Sequence, residues 1–123
     1  MNLAFVFLWM LFFHVVADYN LQGWLASAKQ KSWWRENAPD ELYKSDYACA
    51  LIMHSISWTF MIMLPVAYAH GFTIDEAFVI MFITNMIFHV LIDNAKANWG
   101  LINLWHDQLL HIAQIVLTFI MLT

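Results

Sequence analysis

The sequence predicts an all-α membrane protein with four transmembrane helices, forming a single domain over residues 1–123. The chain is 63% hydrophobic and only 11% charged, whereas soluble domains carry about 25% charged residues. Four segments are mostly apolar over about 20 residues, the length that crosses a bilayer. Because a backbone in lipid must satisfy its own hydrogen bonds, each segment is expected to be helical.

The four predicted spans are separated by two short breaks and one long polar connection. They cover residues 3–26, 48–69, 74–95 and 101–122. In the break "AHGFTIDE", Gly71 is expected to end the second helix, and Thr73 followed by Asp75 and Glu76 resembles the capped start of the third. In the break "NWG", Gly100 is expected to end the third helix. The spans therefore predict four helices joined mainly by tight turns.

The basic residues indicate the orientation of the chain. All of them lie in the first or third connection: Lys29, Lys31, Arg35, Lys44 and Lys96. Since basic residues concentrate in cytoplasmic loops, this side is predicted to be cytoplasmic, with both termini outside a bacterial-type inner (plasma) membrane. Trp33 and Trp34 in the connection 29–47 predict a segment that lies on the membrane surface.

The remaining composition excludes some classes of partner and cross-link. The net charge of −4 offers no basic patch for nucleic acid, so no nucleic-acid partner is expected. Cys49 is the only cysteine, so no intramolecular disulfide can form. The expected partners are the lipid bilayer and a lipid-linked substrate, and a homo-oligomer is left open.

Two stretches of the chain resemble each other. "FHVVADYNLQGW" (13–24) and "FHVLIDNAKANW" (88–99) share Phe, His, Val, Asp and Trp at matching positions without a gap. This similarity suggests two repeated helical hairpins in the same orientation, an architecture known among membrane proteins.

Ionisable residues occur within the predicted spans, and most are paired. The three pairs with four-residue spacing are His14 and Asp18, His89 and Asp93, and Asp107 and His111, and His54 stands alone in the second span. Residues spaced in this way share one face of a helix. All seven map to the cytoplasmic half of the bilayer, so they are predicted to meet inside the bundle.

A divalent metal ion would explain this cluster. Ionisable side chains in a membrane cost several kcal/mol and usually serve a function. Three carboxylates near one fixed cation, Lys96, would repel one another. Imidazole and carboxylate groups bind zinc, iron and manganese, and zinc is the first choice here. The predicted ligands are His14, Asp18, His54, His89, Asp93, Asp107 and His111. A hydrogen-bonded network that joins the helices is the competing interpretation.

The same residues carry a family resemblance. The motifs are HxxxDxxxQ at His14, Asp18 and Gln22, the lone His54, HxxxDxxK at His89, Asp93 and Lys96, and DQxxH at Asp107, Gln108 and His111. Together they resemble an uncharacterised family of small bacterial and phage integral-membrane proteins, a domain of unknown function. The resemblance covers essentially the whole chain and implies no activity. More remotely, the chain is similar to membrane-bound metal-dependent hydrolases.

The function expected from these observations is metal-dependent hydrolysis of a lipid or lipid-linked substrate from the cytoplasmic leaflet. A bound metal activates water near neutral pH. Asp18 or Asp107 is predicted to act as the general base, and Lys96 to hold an anionic group. The alternatives are a metal-ion or proton-coupled transporter, a redox protein with haem or two irons, and a non-catalytic small membrane subunit.

Overall fold

The computed structural model describes residues 2–123 and confirms an all-α fold, with no strand in that range. Its α-helices are α1 Leu3–Val15, α2 Leu25–Ala28, α3 Lys31–Asn37, α4 Asp46–Ala69, α5 Glu76–Ala97 and α6 Leu104–Leu122. A π-helical turn, Val16–Asn20, continues α1, and a 3₁₀ turn, Glu41–Tyr43, precedes α4.

Local side chains explain where the long helices begin and end. The Asp75 carboxylate accepts a hydrogen bond from the backbone N–H of Phe78 at 2.9 Å and caps α5, two residues after Thr73, the first residue of the predicted capped start. Asn103 caps α6 in the same way. Gly71 and Gly100 both adopt φ +63°, a left-handed conformation that glycine allows at the end of a helix. The two predicted breaks are therefore confirmed.

The number of long apolar helices differs from the prediction. Within the part of the chain that the structure describes, three stretches are long and apolar enough to cross a membrane: Leu3–Asn20, Glu41–Ala69 and Glu76–Ala97. The predicted fourth span, 101–122, forms α6 but does not belong to this set. Its first two turns carry His106, Asp107, Gln108 and His111, and these polar side chains lower the mean hydropathy of the helix.

The first predicted span, 3–26, also ends earlier than expected. Its regular helix stops at Val15, and the π-helical turn stops at Asn20. Gly23 then adopts φ +55° and starts a tight reversal of the chain. The connection 29–47 contains α3, which the Trp34 indole anchors by donating to the carbonyl oxygen of Ala28 at 2.7 Å. This end of the molecule is thus folded back against the long helices.

The four long helices form a bundle in which α1 packs on α4, α4 on α5, α5 on α6, and α6 on α1. One half of the interior is apolar and includes Val6, Met10, Trp58, Ile62, Met63, Val66 and Ile115. The other half, nearest the polar connections, contains most of the buried ionisable side chains. Large apolar side chains cover much of the outward-facing surface.

The predicted repeat of two hairpins stays a prediction. Asp18 and Asp93, the aspartates of the two similar stretches, do lie within one cluster of side chains. However, Asp18 sits in a π-helical turn, whereas Asp93 sits in the regular helix α5. The two stretches therefore differ in local backbone structure.

Candidate metal centre

Six of the seven predicted metal ligands meet inside the bundle, and we call them the His/Asp cluster. They form three overlapping groups: Asp18, His54 and His89; His89, Asp93 and His111; and Asp18, Asp107 and His111. Within each group, one potential ligand atom from every residue lies within 4.8 Å of the others. The cluster draws on α4 through His54, on α5 through His89 and Asp93, on α6 through Asp107 and His111, and on the π-helical turn after α1 through Asp18.

Asp93 lies at the centre of the His/Asp cluster. Its Oδ2 atom is 3.5 Å from Nε2 of His54 and 3.3 Å from Nε2 of His89. Its Oδ1 atom is 3.2 Å from Nε2 of His111. The two oxygens of this one carboxylate therefore face different histidines.

The π-helical turn positions Asp18 at the edge of the cluster. Its Oδ1 atom is 3.2 Å from Nε2 of His54, and its Oδ2 atom is 3.4 Å from Nε2 of Gln108. The Gln22 amide donates to the backbone carbonyl of Asp18 at 3.0 Å and supports this turn. Single π-helical turns inside helices are frequent at functional sites.

His89 is fully buried, yet neither of its ring nitrogens has a hydrogen-bond partner among residues 2–123. Nε2 lies 3.3 Å from Oδ2 of Asp93 without the alignment of a hydrogen bond. The ring is stacked between Trp58 and His111, with centroids 4.2 Å from each. A buried polar atom without a partner costs about 1–3 kcal/mol, so it calls for an explanation such as a bound ion.

The hydrogen bonds of His111 define which of its nitrogens faces the cluster. The Gln114 amide nitrogen donates to the backbone carbonyl of Asn85 at 3.0 Å, so its Oε1 atom is the acceptor for Nδ1–H of His111 at 3.1 Å. A neutral His111 then carries a lone pair on Nε2. That nitrogen lies 3.2 Å from Oδ1 of Asp93 and 3.3 Å from Oδ1 of Asp107. A cation between these three acceptors would relieve their repulsion.

His14 lies outside the three groups. The Trp58 indole donates to its Nδ1 atom at 2.9 Å, so Nε2–H donates to Oε1 of Gln108 at 2.8 Å. Both nitrogens are therefore already hydrogen bonded. The Gln108 amide in turn donates to Oδ2 of Asp107 at 2.9 Å. The contacts of His14 indicate that it orients Gln108 and, through it, a carboxylate of the cluster.

Lys29 is a charged partner of the cluster that sequence reasoning missed. Lys96 was expected to be the only nearby cation, but the Lys29 side chain is 12% exposed and its Nζ atom lies 3.1 Å from Oδ2 of Asp93. The Asn98 amide donates to the backbone carbonyl of Lys29 at 2.9 Å and holds this segment against α5. The glycine in "LQGW", Gly23, was the signal for the reversal that brings Lys29 inward.

A cleft of about 200 Å³ opens onto the cluster from the end that carries the polar connections. Asp18, Lys29, Asp93 and Asp107 contribute to its lining. Lys96 also lines the cleft and is exposed. A small anionic group in this cleft would therefore meet two lysines beside the carboxylates.

Comparison with known proteins places the chain in a family. A model of the family DUF3307, proteins of unknown function, matches residues 6–123. The chain belongs to the DUF3307 family. No curated protein and no solved structure matches it. The predicted membership of an uncharacterised family is confirmed, while the remoter similarity to metal-dependent hydrolases is not tested by these matches and stays a prediction.

The DUF3307 match spans the entire His/Asp cluster, from Asp18 to His111. In this DUF3307 chain, three carboxylates are accompanied by one largely buried lysine, Lys29, and by the ring nitrogens of three histidines. The donor set, imidazole nitrogen and carboxylate oxygen, suits zinc, iron or manganese. The residues therefore fit a divalent metal ion. In the alternative interpretation, the histidines are protonated and the same contacts are hydrogen bonds that join the helices.

Proposed function

We propose that the protein spans the membrane with α1, α4, α5 and α6, and that both termini lie outside. The helix α6 is not among the stretches long and apolar enough to span a membrane on their own, but its polar residues Asp107, His111, Gln114 and Thr118 are buried within the bundle. Polar side chains in transmembrane segments usually face the bundle interior in this way. Four of the basic residues lie between the π-helical turn and α4, and Lys96 lies in the last turn of α5, at the end that carries the cleft. This distribution supports a cytoplasmic location for that end.

Labelling of single cysteines tests this topology. In a Cys49→Ser background, we expect Thr123→Cys to react with a membrane-impermeant maleimide in intact cells. Ser45→Cys, which precedes α4, should react only after the cells are opened. If α6 does not cross the membrane, Thr123→Cys will also need opened cells. Recovery of the protein in the soluble fraction would contradict the membrane assignment altogether.

We infer that the His/Asp cluster binds a divalent metal ion, with zinc first and iron or manganese as alternatives. The observation that carries this inference is the position of Nε2 of His111, which lies 3.2 Å from Oδ1 of Asp93 and 3.3 Å from Oδ1 of Asp107. The unpartnered nitrogens of the buried His89 support it. Gln114 supplies the outer hydrogen bond that commonly fixes the tautomer of a metal-binding histidine.

The chemistry that such a site favours is hydrolysis of a lipid or lipid-linked ester, held at the cytoplasmic end. A metal ion there would act as a Lewis acid and activate water. Lys96 at the cleft would hold an anionic group of the substrate. In the simplest, single-ion version, Asp18 or Asp107 would accept the proton, since both carboxylates line the cleft.

Transport of a metal ion or a proton is the second candidate. A buried polar chain favours it, because the Asn85 amide donates to Oγ1 of Thr118 at 2.7 Å beyond Gln114. This chain leads away from the cleft, but the apolar half of the bundle lies beyond it, with Val6 and Val66 fully buried. A transporter needs a polar route through both halves of the bundle. Because the polar chain ends at the apolar half, we prefer hydrolysis.

Metal analysis and a phosphate-release assay test the hydrolase proposal. We expect the detergent-purified protein to contain stoichiometric metal and to release inorganic phosphate from a phosphomonoester lipid, phosphatidic acid, in mixed micelles, with activity lost on chelation. Lys96→Met should raise KM by about tenfold, the effect of losing roughly 1.4 kcal/mol of binding. Lys44→Met, an exposed lysine outside the cleft, is the matched control. Bound metal without any metal-dependent turnover would support the proposed metal site but would reject the hydrolase proposal.

A further inference from the structure

We propose that the His/Asp cluster holds two metal ions, bridged by Asp18 and Asp93. Each of these carboxylates presents its two oxygens to different neighbours. Oδ2 of Asp93 faces His54 and His89, while Oδ1 faces His111. Oδ1 of Asp18 faces His54, while Oδ2 faces Gln108 on α6. A carboxylate with this double arrangement is suited to join two adjacent cations.

The first ion position lies between α4, α5 and the π-helical turn. His54 and His89 supply its nitrogen ligands, and both side chains are almost completely buried. Oδ1 of Asp18 and Oδ2 of Asp93 supply the oxygens. Because Nε2 of His89 has no hydrogen-bond partner among the described residues, it can bind an ion without the loss of an existing hydrogen bond.

The second ion position lies against α6. Nε2 of His111 lies 3.3 Å from Oδ1 of Asp107, and that oxygen is also buried, without a hydrogen-bond partner in the described part of the chain. Oδ1 of Asp93 and an oxygen of Asp18 complete the set, since Asp18, Asp107 and His111 form one of the three close groups. The two positions together use all six residues, with four ligands at each.

A single ion would leave part of the cluster unexplained. A zinc ion takes four ligands, so one ion would leave two of the six side chains without a cation. The unpartnered atoms occur at both positions, on His89 and on Asp107. Four-helix bundles also house carboxylate-bridged metal pairs built from acidic and histidine side chains of facing helices. The double site therefore accounts for the ligands better than a single one.

The charge of a double site specifies the class of substrate. With neutral histidines, the three carboxylates and Lys29 carry a net charge of two negatives, which one divalent ion would neutralise. A second ion makes the site positive and favours a dianionic group such as a phosphate monoester, which would reach the ions past Lys96. This inference rests on the proposed metal centre. In the double site, Asp18 and Asp107 act as metal ligands and not as general bases. A separate base is not required, because paired ions can stabilise both the attacking and leaving oxygens of a displacement.

Manganese titration of the metal-stripped, detergent-solubilised protein tests the inference. We expect two Mn²⁺ ions per chain and an electron paramagnetic resonance spectrum of an exchange-coupled pair. One ion per chain would overturn the double site and leave the proposed metal centre intact. Two ions with the spectrum of isolated Mn²⁺ would also overturn it, since the ions would then be far apart. No binding of any of the candidate metals would reject both proposals.

Variants at each position provide a second measurement. His54→Ala and Asp107→Asn each remove one terminal ligand, so each should retain one ion and lose the exchange-coupled signal. His106→Ala is the matched control, because His106 is exposed and precedes Asp107 in α6. Retention of two coupled ions in both variants would contradict the assigned ligands. Size-exclusion chromatography and helical circular dichroism should confirm that the variants keep the parent fold.

Discussion

Asp93→Asn is expected to weaken divalent-metal binding by at least about 100-fold. Asp93 lies within 3.5 Å of the Nε2 atoms of His54, His89 and His111. Replacing only an outer hydrogen-bond partner of a metal ligand typically costs about 10–100-fold in affinity. A neutral amide at the centre of the cluster removes a ligand and its charge, so its effect should be larger. Isothermal titration of the metal-stripped protein measures the change.

The same variant should lose the thermal response to metal. A ligand present at about 100 times its Kd stabilises the folded state by about 2.7 kcal/mol, and a chelator removes that gain. The melting temperature of the parent should fall on chelation, whereas that of Asp93→Asn should stay unchanged. Asp75→Asn is the control, because it makes the same chemical change at the other end of α5 and asparagine caps a helix equally well. Binding by Asp93→Asn at parent affinity would exclude the cluster as the metal site.

Sequence patterning predicts the long helices well because their boundaries depend on local chemistry. The predicted span 48–69 corresponds to α4 at Asp46–Ala69, and the Asp75 cap starts α5 close to its predicted position. The first span was predicted to continue to residue 26, but its regular helix ends at Val15. Hydropathy averaged over a window does not detect such a change of backbone conformation. The π-helical turn at Val16–Asn20 and the reversal at Gly23 interrupt a stretch whose composition varies smoothly.

The candidate site was predictable as a set of residues but not as a set of contacts. The four-residue spacing of the His/Asp pairs places each pair on one helix face, and that face does point inward. Spacing cannot show which partner from another helix reaches a given nitrogen. His14 is occupied by Trp58 and Gln108, which are 44 and 94 residues away in the sequence. Its removal from the ligand groups thus follows from packing between helices.

The charge balance of the site was missed for the same reason. Lys29 and Asp93 are 64 residues apart, and the predicted surface connection gave no indication that a lysine would turn inward. Asn98 fixes the backbone on both sides of this turn, because it also accepts from the backbone N–H of Lys31 at 2.7 Å. A polar residue at the end of α5 therefore determines where the buried cation lies.

Lys29→Met is expected to destabilise the metal-free protein much more than the metal-loaded protein. Without metal, Lys29 is the cation nearest to Asp93, and breaking a buried ion pair costs about 3–5 kcal/mol. At about 4 °C for each kcal/mol, the melting temperature of the metal-free form should fall by more than about 10 °C. With metal bound, the ion replaces this charge and the fall should be smaller.

The unequal effect on the two forms also requires tighter metal binding. If the metal-free state loses at least about 1.4 kcal/mol more than the loaded state, metal affinity must rise by at least about tenfold. Calorimetry of both forms, with titration of the metal, measures the two sides of this cycle. Lys31→Met is the control, because Lys31 is exposed and its Nζ atom lies over the Tyr47 ring, 4.7 Å from the ring centroid, away from the carboxylates of the cluster. An equal loss of stability in both forms would mean that Lys29 anchors the α2–α3 segment and does not balance the charge that the metal neutralises.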